Sequence, residues 1–208
     1  MVVLSNKLQS ASTEGFTIRQ TANQKNQLLV VTVLSVVFGV YRAVHLGQDT
    51  NWDWQNYHDY DVLALFHGRS GIDVAPAGIQ TFLNPLPYIP FYLLRHFLPP
   101  IFGGAIVGAM QALNLPVAWI LLRRLVPDLS WFVIAAAMVI SASGAMTLSE
   151  IGTSFADLLT AIPVLIGVVM LLPAGPRRPR TVLIAGVFVG AAVGLKSLTL
   201  LLPWALWR

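Results

Sequence analysis

The sequence contains no cysteine. Disulfide frameworks, thiolate catalysis and cysteine-ligated metals are therefore excluded, while the compartment stays open. Charge is the second scarcity. Only 11% of the 208 residues are Asp, Glu, Lys or Arg, against about a quarter in a soluble domain. Apolar residues take their place, at 56% hydrophobic and a mean hydropathy of +0.70. That balance describes an integral membrane protein. The pI near 9.8 would suggest nucleic acid in a soluble chain, but here the basic residues are spread over separate loops, which argues against a nucleic-acid partner.

The few charges are sorted by sign. Lys7, Arg19 and Lys25 precede the first apolar run, Arg123 and Arg124 follow the second, and Arg177, Arg178 and Arg180 follow the fourth. Asp49, Asp53, Asp59, Asp61 and Asp73 follow the first run, and Glu150 and Asp157 follow the third. Basic loops stay in the cytoplasm. The pattern predicts an all-α fold, a polytopic transmembrane helix bundle, in the inner (cytoplasmic) membrane with its amino terminus inside. Five spans are expected, at about 28–46, 101–122, 131–149, 157–173 and 182–206, after a polar cytoplasmic tail over 1–27. No small-x-small cleavage site follows the first run, so it reads as a retained anchor, with Arg42 snorkelling.

Residues 47–100 form the first external loop in this reading. Asp53 is expected to cap a helix from Trp54 to His67, with Gly68 as its stop. The segment 81–100 is apolar enough to cross, but Pro90 would kink a helix in lipid. Crossing would also carry the Arg123-Arg124 and Arg-Arg-Pro-Arg clusters outside. It is therefore expected as an interfacial helix capped by Asn84, with Pro85 in its first turn. Gly186, Gly190 and Gly194 in the last span, like Gly104 and Gly108 in the second, predict close helix packing, within the chain or with a partner. The chain stops at Trp204-Ala-Leu-Trp-Arg208, at the end of a span. It is expected to be an amino-terminal portion of a longer protein or a truncated product.

Chemistry-bearing residues concentrate on the acidic side. Asp49-Thr-Asn-Trp-Asp-Trp-Gln-Asn-Tyr-His58 mixes carboxylates, aromatic rings and amides. Such a mix suits a carbohydrate, with rings stacking on sugar faces, amides bonding hydroxyls and a carboxylate taking a proton. An interfacial aromatic belt with a helix cap has the same composition. Asp59-Tyr-Asp61 is a D-x-D string, but residues i and i+2 of a helix point apart, so a divalent metal is not supported by the spacing. Ser154-x-x-Asp157 fits a capping box for the fourth span. Glu150 has no capping role and is expected to face Asp53. Lys196 is the Lys or Arg lying deepest in an apolar run, where an ammonium calls for a functional or ion-pair role, with a lipid phosphate or Glu150 as partner. Arg69 and His58 are weaker phosphate candidates, and His45 and His67 have no metal-site spacing.

The stretch Asn51-Trp-Asp-Trp-Gln-Asn-Tyr-His58, followed by Thr81-Phe-Leu-Asn-Pro85, resembles bacterial members of the GT-C superfamily of membrane glycosyltransferases, as does the order of span, acidic loop and further spans. The resemblance implies a polyprenyl-phosphate sugar as donor, an envelope acceptor, and a catalytic carboxylate soon after the first span. Mapped onto this sequence, that carboxylate is Asp53 first and Asp49 second, with Glu150 as a second acidic group. Trp52, Trp54, Asn56, Tyr57, His58, Arg69 and Lys196 would then bind substrate. Relatives of this kind are longer, so a missing carboxy-terminal half would help hold the donor. A transporter or lipid-handling protein is the alternative, although no inverted repeat or pair of broken helices is visible. A non-catalytic subunit or fragment is the third.

Overall fold

A computed structural model describes residues 2–69, 71–172 and 178–196, with residues 2–22 as backbone only. It is all-helical, with no strand among the described residues. Helix α1 (Val2–Leu46) runs for 45 residues. The segment expected as a polar tail is thus part of a helix that continues into the first apolar run, and residues 2–27 contain no proline to stop it. A helical turn from Trp52 becomes a π-helical stretch over Trp54–His58 and leads into α2 (Asp59–Phe66). Two 3₁₀ turns follow, Gly78–Phe82 and Leu86–Tyr88, and then α3 (Ile89–Phe97).

The second apolar run is a broken helix, α4 (Pro100–Ala112) and α5 (Asn114–Leu125). Pro116 explains the break, because it lacks an N–H and its ring crowds the carbonyl of Ala112 four residues back. Asn114 repairs the gap, donating from Nδ2 to the Gln111 carbonyl at 2.9 Å and to the Leu158 carbonyl at 2.5 Å. The third run also departs from expectation. In place of one helix over 131–149 it forms α6 (Trp131–Ala142) and α7 (Ala145–Glu150). Ser141 and Ser143 bond back to the Ala137 and Ile140 carbonyls, and Gly144 follows. Such back-bonding and a glycine end a helix cheaply. Helices α8 (Asp157–Leu171) and α9 (Pro179–Leu195) complete the described fold. The remainder of the expected fifth span, 197–206, lies outside the described residues.

Two stretches are long and apolar enough to cross a membrane, Asn23–Leu46 and Pro100–Leu125, while α6, α8 and α9 are shorter apolar helices. The two long stretches bury only 22% and 39% of their most apolar windows inside the fold. Leu29, Val33, Leu34 and Val37 on α1, Phe132 and Ile140 on α6, and Leu183 and Val187 on α9 are all exposed. Contiguous apolar surface of this kind points to membrane association.

Helices α1 and α4 approach most closely at glycines. A Cβ on Gly39 would overlap the Gly108 carbonyl oxygen, and one on Gly108 would lie 2.5 Å from the Gly39 oxygen and 2.9 Å from the Ala43 Cβ. Gly104 faces the Gly152 carbonyl of the 150–157 connection instead. The glycine face expected on the last span behaves differently, since a Cβ at Gly186, Gly190 or Gly194 meets nothing within 4 Å. Helix α9 packs on α8 instead through Ala185, whose carbonyl abuts Gly167.

The helix ends sort by chemistry. At one end, Arg123 donates to Gln27 Oε1 of α1 at 2.8 Å and to the Leu129 carbonyl, and Arg124 donates to the Val169 carbonyl of α8. At the other end lie the residue 47–100 loop, the 150–157 connection and the carboxyl end of α9. Trp54, Val62, Tyr88, Phe91, Tyr92, Val107 and Ala156 form one buried cluster there, seating the loop helices on α4 and the start of α8.

Candidate functional site

The loop is held by a polar frame that starts at Asp49. Its Oδ2 accepts the Ser154 N–H at 2.7 Å, and its Oδ1 accepts from both the N–H and the Nδ2 of Asn51, at 3.0 and 2.5 Å. Asn51 Oδ1 in turn accepts the Trp54 N–H at 2.7 Å. Asn51 is therefore the cap of the first loop helix, and Asp53, expected in that role, is already helical and makes no capping bond. The chain had two cap-formers two residues apart, and the tie from Asp49 to Asn51 decides between them. The stop is where it was expected. Gly68 has φ +65° and Arg69 N–H reaches back to the Ala64 carbonyl at 2.8 Å.

Asn84 also works at an end, in two directions. Its Oδ1 accepts the Leu86 N–H at 3.1 Å, as a cap should, and its Nδ2 donates to the Gly194 carbonyl at 2.8 Å and the Leu195 carbonyl at 3.3 Å. The interfacial helix is shorter than 81–100. Pro90 sits in the first turn of α3, where its missing N–H costs nothing, and no kink results. At nine residues, α3 is about 14 Å long, less than half a hydrocarbon core.

The 150–157 connection is fastened by Gln111, a fully buried glutamine on α4. Its Oε1 accepts the Gly152 N–H at 2.7 Å, and its Nε2 donates to the Phe155 and Thr153 carbonyls at 2.9 and 3.3 Å. Gly152 turns with φ +84° beneath Ala43, where any side chain would clash. The expected Ser154–Asp157 capping box is absent. Ser154 spends its N–H on Asp49, and its hydroxyl lies 2.8 Å from His58 Nδ1 and 3.3 Å from Asn51 Nδ2. Ala156 stands at the N-cap of α8, without a side-chain bond there.

These ties enclose a cavity of about 360 Å³ between the loop, the 150–157 connection and the end of α9. Tyr57, His58, Tyr88 and Phe155 line it with rings, and Asn84, Glu150, Asp157 and Lys196 line it with polar groups. Lys196 Nζ donates to Asp157 Oδ2 at 2.5 Å, with both side chains mostly buried. Lys196 is thus not inside a helical span. It follows the last residue of α9 in extended conformation, and its ion partner is Asp157 rather than Glu150.

Glu150 is 9% exposed and its Oε2 has no hydrogen-bond partner. Burial, with the charge of Asp157 next and Lys196 opposing, pushes its carboxyl up to about 7. His58 is 1% exposed and its ring stacks on Tyr88 at 3.9 Å. Burial, then Lys196, pushes it down to about 3, so it is neutral and serves as wall and bond to Ser154, not as a cation. Burial and the charges of Asp53 and Asp61 raise the Tyr57 hydroxyl to about 12, with a hydrogen bond to Asp53 adding to the rise. Asp53 bonds the Tyr57 hydroxyl and does not line the cavity, while Glu150 does.

The other expected binding residues disperse. Trp54 is 3% exposed, in the core, with its ring edge-on to Phe91 at 4.8 Å. Trp52 is exposed, and Asn56 is exposed and bonds the Trp52 carbonyl. Arg69 forms a two-armed pair with Asp73 at 2.7 and 2.8 Å, and Tyr60 donates to the same carboxylate. Gln111 is the residue sequence reasoning passed over, while Asn84 was expected only as a cap and Asp157 and Lys196 were not expected to pair with each other. Gln111 had a signal, as one of two amides, with Asn114, in an apolar run. Among the described residues no group of three or more His, Asp or Glu side chains could hold a metal ion.

Asp59 and Asp61 face different ways. Asp61 is buried, with neither carboxylate oxygen bonded, and burial pushes it up to about 7. A carboxyl raised from 3.8 to about 7 costs stability as it ionises, so the penalty grows from about pH 4 and is complete above pH 7. Asp61→Asn is expected to raise the thermal midpoint in detergent at pH 8 by an amount equivalent to about 2 kcal/mol, and to change it little at pH 4. A gain equal at both pH values would mean that the charge is not the source.

No protein-family model, curated protein or solved structure matches the chain.

Proposed function

We propose that the chain is a five-span membrane glycosyltransferase of GT-C type, embedded in the cytoplasmic membrane with its amino terminus inside. It moves a sugar from a polyprenyl-phosphate donor to an envelope acceptor at the outer face. The observation that carries this is the cavity in which a buried carboxylate with one oxygen unbonded, Glu150, shares the lining with the Asp157–Lys196 ion pair between aromatic walls. The sorting of Arg123 and Arg124 to the opposite helix ends supports the orientation.

In this reading Glu150 takes the proton of the acceptor hydroxyl. The freed oxygen attacks the anomeric carbon, the carbon–oxygen bond to phosphate breaks, and lipid phosphate leaves with the electron pair. Lys196 stands where that charge grows, and a cation there favours the transition state over the ground state. Tyr57 offers its ring to the sugar, backed by the stacked Tyr88 and His58. Asp53 acts through the Tyr57 hydroxyl, and Asp49 holds the loop closed on Ser154.

An apolar cleft of about 430 Å³ between α1, α5 and α6 reaches Leu148, beside α7's terminal Glu150, and has room for part of a hydrocarbon chain. The same cleft favours the lipid-handling alternative. Purified protein incubated with a polyprenyl-phosphate sugar separates the two. A transferase releases polyprenyl phosphate and labels an acceptor, whereas a lipid-handling protein binds the donor and leaves it intact.

A further inference from the structure

We propose that Asp59, Tyr92, Arg95 and His96 form a binding site for the phosphoethanolamine headgroup of a bilayer lipid. They line a cleft of about 280 Å³ that shares no residue with the cavity above. Its volume equals roughly nine waters, enough for such a headgroup. This inference rests on the membrane part of the proposed function and not on the transfer chemistry.

Arg95 is the anchor. Its guanidinium lies 4.5 Å over the ring of Trp54, which is itself wedged against Phe91. The stacking fixes the plane of the fork, and among the described residues the fork makes no ion pair within 4 Å, the two pairs being Arg69–Asp73 and Lys196–Asp157. His96 stacks on Tyr92 at 5.9 Å and 8°, which holds a second donor beside it. Asp59 shares the cleft with Arg95 and His96. Burial raises its carboxyl, and Arg95 and then His96 pull it down. The cleft thus offers a cationic side and an anionic side, and a planar fork is well suited to a phosphate.

Depth selects a lipid as the ligand. His96 lies four residues before Pro100, across the extended link Leu98-Pro99, and the apolar stretch Pro100–Leu125 begins there. Phe97, Ile101 and Phe102 beside it are exposed at 75%, 44% and 61%. A helix that enters the bilayer at Pro100 puts Arg95 and His96 at headgroup level and these side chains among the acyl tails. A phosphodiester then meets Arg95 and His96, while a primary ammonium donates to Asp59 and lies against the Tyr92 ring. A choline headgroup has no N–H for Asp59, and a glycerol headgroup brings hydroxyl donors but no positive charge to it.

The test is competition among short-chain phosphatidylethanolamine, phosphatidylcholine and phosphatidylglycerol for the purified full chain, read by native mass spectrometry. Wild-type protein is expected to retain phosphatidylethanolamine about fivefold over each of the others. Asp59→Asn should erase that preference while phosphate-bearing lipids still bind, and Arg95→Gln should lose all three. Equal retention by wild-type protein, which needs no variant to fold, overturns the site, as does a preference that survives Asp59→Asn. Alkaline carbonate washing of membranes keeps the two levels apart. A chain that washes off overturns the membrane reading and the site with it, and a retained chain without preference overturns the site alone.

Discussion

Gly108→Leu is expected to destabilise the folded protein by about 3 kcal/mol. A Cβ at this position lies 2.5 Å from the Gly39 oxygen and 2.9 Å from the Ala43 Cβ. The nearest obstacle is backbone, which cannot turn aside as a flexible side chain can. Helix α1 would have to lift off α4. Ala43 also covers the Gly152 turn, so the 150–157 connection would lose its floor and Glu150 its position. Gly190→Leu is the matched control. It adds the same bulk where nothing lies within 4 Å, and should change the thermal midpoint by an amount equivalent to no more than about 0.5 kcal/mol. Thermal unfolding of both variants in mild detergent reads the difference. A Gly108→Leu protein that melts with the wild type would mean that α1 and α4 do not cross at these glycines.

Glu150→Gln is expected to lower sugar transfer by about 10²–10⁴-fold, the usual worth of a positioned general base. The change keeps size and removes only the ability to take a proton. Because burial and Asp157 push the Glu150 carboxyl up to about 7, the base form populates as pH rises. Wild-type turnover should climb through about pH 7 and then level. The variant's residual rate should lose that limb while the donor still binds. Asp53→Asn should cause the smaller loss, because Asp53 does not line the cavity and bonds the Tyr57 hydroxyl. A variant pair in which Asp53→Asn abolishes transfer and Glu150→Gln does not would move the base to Asp53.

Much of this was legible from local chemistry. Gly68 stops its helix because a glycine was needed at positive φ, whereas Asn84 bonds the Leu86 N–H ahead of a short turn and the interfacial helix starts later, with Tyr88 at its N-cap. The opposition of acidic and basic helix ends could be read from residue positions alone. What could not be read depends on partners distant in the chain. Asn51 and Asp53 are equivalent as caps until Asp49 and Ser154 are known to meet. Gly108 and Gly190 look alike in sequence, and only the path of α1 makes one a crossing and the other an open face. Lys196 looked mid-helix because the apolar run continues past it, whereas the helix ends at Leu195. Arg95 drew no notice because its value lies in the ring beneath it and in Asp59 across the cleft. Pro116 and Ser143-Gly144 were visible as breakers, but hydropathy alone outweighed them in the reading of long continuous spans.

Both readings depend on the cavity end lying outside the membrane and the arginine end inside. Single cysteines in the natural cysteine-free background measure this directly, with a membrane-impermeant thiol reagent applied to intact cells. Gly71→Cys, in open surroundings on the external loop, should label, and Asp128→Cys, exposed beside Arg123 and Arg124, should label only after the cells are opened. Labelling of Asp128→Cys in intact cells, with Gly71→Cys protected, would place Glu150, Asp157 and Lys196 on the cytoplasmic side and contradict the account.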